Sequence, residues 1–213
     1  MFYLIGGAPR CGKTSLSKAI SKKTGCPWIS GDTMEGIVRQ YVAAGDLDKL
    51  FPKNVMRRLT EGSNEKMYNS YSSEEIAKAY LEQGKTSHKA IEAFAASEIV
   101  TGHDYVIEGH QVHPDLADAL IKKFGRENFR VLFLGKTDLD GLVRGFSLNI
   151  ANDCWIKNKS ASTDIYPKIA EMIAEYSRFF KFEAKKLGFD YLEIGCENFS
   201  EQLDDMAKNL VGA

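Results

Sequence analysis

The chain has 213 residues, 44% of them apolar and 27% charged, and a net charge of −1. That size and mixture suit one globular domain (1–213) with room for a small inserted piece, and no staple is needed to complete a core. The near-neutral balance argues against a nucleic-acid-binding surface, which normally carries a basic excess.

Phe2 to Ile5 reads as a strand. The apolar run from Met1 to Ile5 is too short for a signal peptide or a membrane span, so the expected compartment is the cytoplasm, with no membrane partner. Residues 13 to 24 read as a helix, with Leu16 and Ile20 one turn apart and Gly25 as the stop. Pro27 to Ser30 is a second strand, and a helix carrying Ile37 and Val38 follows Thr33. Residues 44–71 are polar, with a basic cluster of Lys53, Arg57 and Arg58, and read as a substrate-side insertion over one face. Ser72 or Ser73 caps a helical stretch that reaches about Val100, with a break near Gly84.

Tyr105 to Ile107 is the third strand, and Pro114 starts another helix. Phe129 to Leu134 is the fourth strand, followed by a short helix around Leu142. Residues 149–163 are polar and poorly periodic. Ile169, Met172, Ile173, Tyr176 and Phe180 stripe a long helix, Tyr191 to Ile194 is the fifth strand, and a closing helix carries Leu203 and Leu210. Strands separated by helix-length segments imply right-handed βαβ units and a parallel sheet covered on both faces. Ligands bind such sheets beyond the carboxyl ends of their strands.

Between the first strand and its helix lies Gly7-Ala8-Pro9-Arg10-Cys11-Gly12-Lys13-Thr14. It matches GxxxxGK[ST], a loop whose glycines let backbone N–H groups turn toward phosphates. The helix beginning near Lys13 adds its positive end. Lys13 is expected to reach the β- and γ-phosphates of ATP, the Thr14 hydroxyl to bind Mg²⁺, and Ser15 to touch the α-phosphate. A GTPase reading fails because the two decoys, Gly135 to Asp138 and Asp138 to Gly141, overlap at Asp138. One segment cannot grip both the base and the γ-phosphate.

Two acids stand at neighbouring strand ends. Asp32 follows the second strand, where a carboxylate can orient or deprotonate an acceptor hydroxyl; it is also a good residue for capping the next helix. Glu108 follows the third strand, where an acid can assist Mg²⁺. With these residues, Gly6-Gly-Ala-Pro, Ile29-Ser-Gly-Asp32 and Val106-Ile-Glu-Gly109 up to Pro114, the chain resembles the NMP-kinase-like P-loop phosphotransferases. Within them it is most similar to the 2-phosphoglycerate-kinase-like proteins, and more loosely to the zeta-toxin and chloramphenicol phosphotransferase group. The resemblance implies a three-layer α/β sandwich with a five-stranded parallel sheet in the order 2-3-1-4-5. It also implies ATP, Mg²⁺, γ-phosphoryl transfer to a small acceptor near Asp32 and Glu108, and a lid after the fourth strand.

The lid departs from that pattern. Such lids supply arginines that neutralise transition-state charge. Between Arg144 and Arg178 there is none, and the lid segment 149–163 offers Lys157 and Lys159. Either flanking arginine is a candidate replacement, and both also read as surface residues. Arg39, beyond Asp32, is a candidate for binding an anionic acceptor together with Arg57 and Arg58. His110 is a candidate for acceptor contact. The spacing from Glu108 through His110 to His113 is not that of a helical metalloprotease motif, which argues against a transition metal held by that run. Trp155 is a candidate cover for a ligand. Cys11, inside the loop, implies thiol sensitivity. The four cysteines, Cys11, Cys26, Cys154 and Cys196, form no CxxC pair and read as reduced thiols.

The leading expectation is thus a kinase of a small acceptor, anionic or neutral, the kinase being either monomeric or homodimeric. The rivals are a polynucleotide kinase or RNA-modification factor, and a non-enzymatic or toxin-like nucleotide-binding protein.

Overall fold

The computed structural model describes residues 1–148, 155–195 and 198–212. Cys154, Cys196 and positions 149–154 of the expected lid lie outside the described residues. In chain order the elements are β1 (Phe2–Gly7), α1 (Lys13–Thr24), β2 (Trp28–Ser30), α2 (Gly31–Tyr41), α3 (Leu47–Leu50), α4 (Pro52–Leu59), α5 (Asn64–Ser70) and α6 (Ser73–Gly84). They continue with α7 (His88–Val100), β3 (Tyr105–Glu108), α8 (Pro114–Phe124), β4 (Phe129–Gly135), α9 (Leu139–Leu148), α10 (Trp155–Asn158), α11 (Tyr166–Lys186), β5 (Asp190–Glu193) and α12 (Phe199–Val211).

The five strands form one parallel sheet in the order β2-β3-β1-β4-β5. All six residues of β1 are buried, as expected of a central strand covered on both faces. Its register sets Ile5 beside Glu108 on one side and Gly7 beside Leu134 on the other. The phosphate-loop motif and Glu108 therefore leave the sheet at the same edge. On one face α1 packs against α12; on the other, α11 lies across β4 and meets α6, α8 and α9. The buried stripe of α11, Ile169, Met172, Ile173, Tyr176 and Phe180, matches the sequence pattern.

The polar stretch 44–71 is helical. Pro52 opens α4, and the Ser63 hydroxyl caps α5 by accepting from Lys66 N–H. In α4 the apolar residues Val55, Met56 and Leu59 do recur at helical spacing, over a single short stretch set among polar residues. The expected break near Gly84 is a single turn of tighter helix at Lys85–Ser87. A Cβ on Gly84 would stand 3.0 Å from His113 Nε2.

Candidate active site

The loop after β1 carries three positive backbone angles close together: φ is 128° at Gly7, 65° at Arg10 and 81° at Gly12. Gly7 has no alternative, because a Cβ there would sit 1.9 Å from the Leu134 carbonyl oxygen. Arg10 holds a conformation that costs a non-glycine residue about 1–3 kcal/mol, a strain that gathers at functional sites. Ala8 N–H anchors the loop to the Leu134 carbonyl at 3.1 Å. Leu16 N–H closes the first turn of α1 on Gly12 O at 2.9 Å. The N–H groups that open the helix before it have no place in its ladder and suit an anion.

A cleft of about 580 Å³ opens over these strand ends, within the range of small-molecule sites. Pro9, Arg10, Lys13 and Thr14 line it from the loop, Asp32, Glu35 and Arg39 from α2, and Glu108 and His110 from the end of β3. Lys13 is buried, and its Nζ donates to Ala8 O at 2.6 Å. Thr14 Oγ1 donates to Glu108 Oε1 at 3.0 Å. Burial raises the Glu108 carboxyl above its ordinary value, against the pull of Lys13 and the Thr14 hydroxyl.

Asp32 does not cap its helix. Ser30 does, its hydroxyl accepting from Asp32 N–H at 3.2 Å. The Asp32 side chain is left 73% exposed, facing the cleft. Its Oδ1 accepts from Gln111 Nε2 at 2.8 Å and lies 3.5 Å from His110 Nε2. His110, with help from Gln111 and Lys53, holds the Asp32 carboxyl well below the usual carboxylate range. His110 is itself buried, and that burial pushes its imidazole below the ordinary value, so it stands as a neutral hydrogen-bonding group. Its Nδ1 lies 3.2 Å from Tyr176 Oη.

Glu35, one turn beyond Asp32, is buried and accepts from Gln83 Nε2 at 2.5 Å, Gln111 Nε2 at 3.0 Å and Lys53 Nζ at 3.2 Å. Gln111 thus bridges the two carboxylates. Neither Glu35, Gln83 nor Gln111 stands out in the sequence. The spacing of Glu35 from Asp32 on one helix face was the single available signal; Gln83 and Gln111 carried none.

No family model matches this chain. Over 120 residues it is 27% identical to the mevalonate-3-phosphate 5-kinase of Thermoplasma acidophilum, an overlap of 56% of this chain and 55% of that protein. The chain thus spans about half the length of that curated relative. Among solved structures it is similar to the shikimate kinase of Bacteroides thetaiotaomicron, with a TM-score of 0.51 and 17% identity over 100% of this chain and 99% of the other. A gluconokinase from Sinorhizobium meliloti 1021 overlays more loosely, with a TM-score of 0.38 and 14% identity over 86% of this chain and 95% of the other.

The fold is that of the P-loop small-molecule kinases. In a P-loop kinase fold the cleft residues fit a magnesium nucleotide on two counts. The donors meeting at its floor, the Thr14 hydroxyl and the Glu108 carboxylate, are all oxygen, which suits Mg²⁺ and not a softer ion. Loop and helix N–H groups with Lys13 supply the matching positive charge for phosphates. Ser15 is exposed one residue past Thr14, and Ala8 and Cys11 are buried beneath the loop.

Several expected residues stand elsewhere. The Cys11 thiol faces inward, and burial pushes it up to about 11, so the expected thiol sensitivity is corrected: at neutral pH the reactive thiolate is scarce. Of the basic cluster in the insertion, Lys53 lines the cleft, over the Tyr80 ring at 5.1 Å. Arg57 instead donates to Asn64 Oδ1 at 2.6 Å and stacks over Trp155 at 5.3 Å. Arg58 pairs with Asp48 at 2.7 Å on the surface. From the segment expected to be a lid, Trp155 lines the cleft. Lys157 Nζ donates to Ser147 O at 3.2 Å, and the Lys159 side chain is exposed. Arg144 stands 3.9 Å from Asp138, and Arg178 pairs with Glu175 at 2.6 Å. None of these four cations is among the residues lining the cleft. The cations that do line it are Arg10, Lys13, Arg39 and Lys53. Among the described residues, no helix is long and apolar enough to cross a membrane.

Proposed function

We propose that this protein is an ATP- and Mg²⁺-dependent kinase that transfers the γ-phosphoryl group to a hydroxyl of a small anionic acceptor. One observation carries the reading: Lys13, Thr14, Glu108 and Asp32 line one cleft together with Arg39 and Lys53. The first three suit the donor, and the others suit an acceptor that bears both a hydroxyl and a negative charge. The name of the Thermoplasma relative, a kinase of a phosphorylated small molecule, supports an anionic acceptor.

In this reading Lys13 leaves the Ala8 carbonyl to neutralise the β- and γ-phosphates, and Thr14 with Glu108 holds Mg²⁺, which supplies charge neutralisation on the phosphates. Asp32, held by Gln111 and His110, orients the acceptor hydroxyl for in-line attack. Arg39 and Lys53 bind the acceptor's anionic group, and Trp155 covers it. The cations at the reacting phosphoryl come from Lys13 and Arg10, replacing a lid arginine.

The test is a phosphoryl-transfer screen with Mg²⁺ and γ-labelled ATP over phosphorylated metabolites, carboxylated alcohols, nucleosides and oligonucleotides. The expected result is label transfer to a small anionic alcohol, lost in Lys13→Ala and reduced by about 10²-fold in Asp32→Asn through lost orientation of the acceptor. Transfer to oligonucleotides alone, or undiminished transfer by Lys13→Ala, would overturn the reading.

A further inference from the structure

His113 belongs to the same short run as Glu108 and His110, yet it lines no part of the cleft. It is the residue before α8, wholly buried, with its ring edge-on to Phe179 at 5.9 Å and Phe180 at 5.6 Å. Its ring meets that of His88, the first residue of α7, at 5.0 Å and 87°. Neither nitrogen of His113, nor His88 Nε2, has a partner at good hydrogen-bond geometry, although the backbones of His110 and Gln111 pass close by. A buried polar atom without a partner costs about 1–3 kcal/mol and calls for an explanation, such as an ion. Asp115 supplies a charge beside them, its Oδ1 4.0 Å from His113 Nδ1. One ligand atom from each of His88, His113 and Asp115 lies within 4.8 Å of the others.

We propose that His88, His113 and Asp115 form a binding site for a divalent metal of the zinc type, separate from the Mg²⁺ position at Thr14 and Glu108. Two imidazoles and one carboxylate are a borderline-soft donor set that suits Zn²⁺ and leaves a fourth position for water. Metal–ligand bonds of about 2.0–2.1 Å put tetrahedral ligand atoms about 3.4 Å apart. No pair here therefore has to close by more than about 1.4 Å, and the Asp115 side chain, 62% exposed, is the ligand with room to move. The nearby cation is Lys85, which is bonded to Glu82 at 3.4 Å. The ion would tie the start of α7 to the start of α8, and so fix the loop that presents His110 and Gln111 to Asp32.

The test uses the full chain stripped with a chelator, reloaded with Zn²⁺ alone and desalted, with metal measured per chain by mass spectrometry. Co²⁺ loading adds a visible d–d absorption that reports four-coordination. The expected result is one Zn²⁺ per chain, a rise in Tm on loading, and at least a hundredfold weaker binding in both His88→Gln and Asp115→Asn. Loss of outer-shell partners alone weakens a site by about 10–100-fold. Both variants alter partly exposed residues, and their folding is checked by unfolding of the metal-free form. Less than stoichiometric Zn²⁺ in the wild type, or full retention by either folded variant, overturns the proposal. Zn²⁺ binding is expected to be unchanged in Lys13→Ala, so failure of the kinase reading and failure of this one are distinguishable.

Discussion

Asn64 is the side chain whose loss should be felt most widely, because it joins the insertion to the segment that carries Trp155. It is wholly buried at the start of α5. Its Nδ2 donates to Ser160 Oγ at 2.8 Å, Ile156 O at 3.2 Å and Trp155 O at 3.4 Å, and its Oδ1 accepts from Arg57 at 2.6 Å. Asn64→Ala removes all four. A neutral hydrogen bond is worth about 1 kcal/mol, and one to a charged group about 1.5–3 kcal/mol. Counting the 3.4 Å contact as negligible, the loss is about 3.5–5 kcal/mol. For a domain of this size each kcal/mol shifts Tm by about 2–4 °C, so calorimetry should find a drop of roughly 7–20 °C. Asn64→Asp keeps an acceptor for Arg57 but sets a carboxylate against two carbonyls, and should be destabilised as well. Tryptophan fluorescence should report the loosening of Trp155 in both. If Asn64→Ala melts within about 2 °C of the wild type, the reasoning that the insertion and the segment after 155 are held together here is wrong.

Gly7→Ala would press a Cβ to within 1.9 Å of Leu134 O at a φ of +128°, where no flexible side chain can yield; the variant should be insoluble or melt at least about 6 °C lower, and a soluble variant with wild-type Tm would refute the geometry. Acidification tests His110: burial lowers its folded pKa below the unfolded value of about 6.5, so its contribution to stability is complete above that pH and is lost as pH falls below it. Between about pH 7.5 and 5.5 the wild type should therefore lose more stability than His110→Gln, by up to about 1.4 kcal/mol per pH unit, and parallel curves would contradict this. Cys11, with its thiol raised to about 11, should resist alkylation in the native protein at about pH 8 and react on unfolding; peptide mass spectrometry showing native labelling of Cys11 at the rate of a free thiol would sink that expectation.

What could be read from the sequence was local. The loop from Gly7 to Thr14 is a contiguous motif whose geometry follows from its glycines, and Asp32 and Glu108 follow apolar strands directly, so all three are legible in the order of residues alone. Lys53 and Arg57 were visible as charges but not by destination. They sit one turn apart on α4, and only the packing of that helix decides that one enters the cleft while the other covers Trp155. Glu35, Gln83 and Gln111 lie up to 76 residues apart and meet through tertiary packing alone. His113 looked like part of the Glu108 cluster, but the end of the strand turns it away toward His88.

The bonding around Asp32 also narrows how the proposed transfer runs. A carboxylate held well below the usual range is a weak base, so stripping the acceptor hydroxyl of its proton before attack is not its natural task. Phosphoryl transfer through a loose transition state asks for little basicity until late, and much for direction. Direction is what the surroundings of Asp32 supply. Gln111 fixes its Oδ1 from one side and is itself fixed by buried Glu35, and His110 is held in turn by Tyr176. In the proposed transfer Asp32 would therefore act as a fixed acceptor of a hydrogen bond from the acceptor hydroxyl, and would take its proton only late, as the new O–P bond forms and the bond to the leaving nucleotide oxygen breaks.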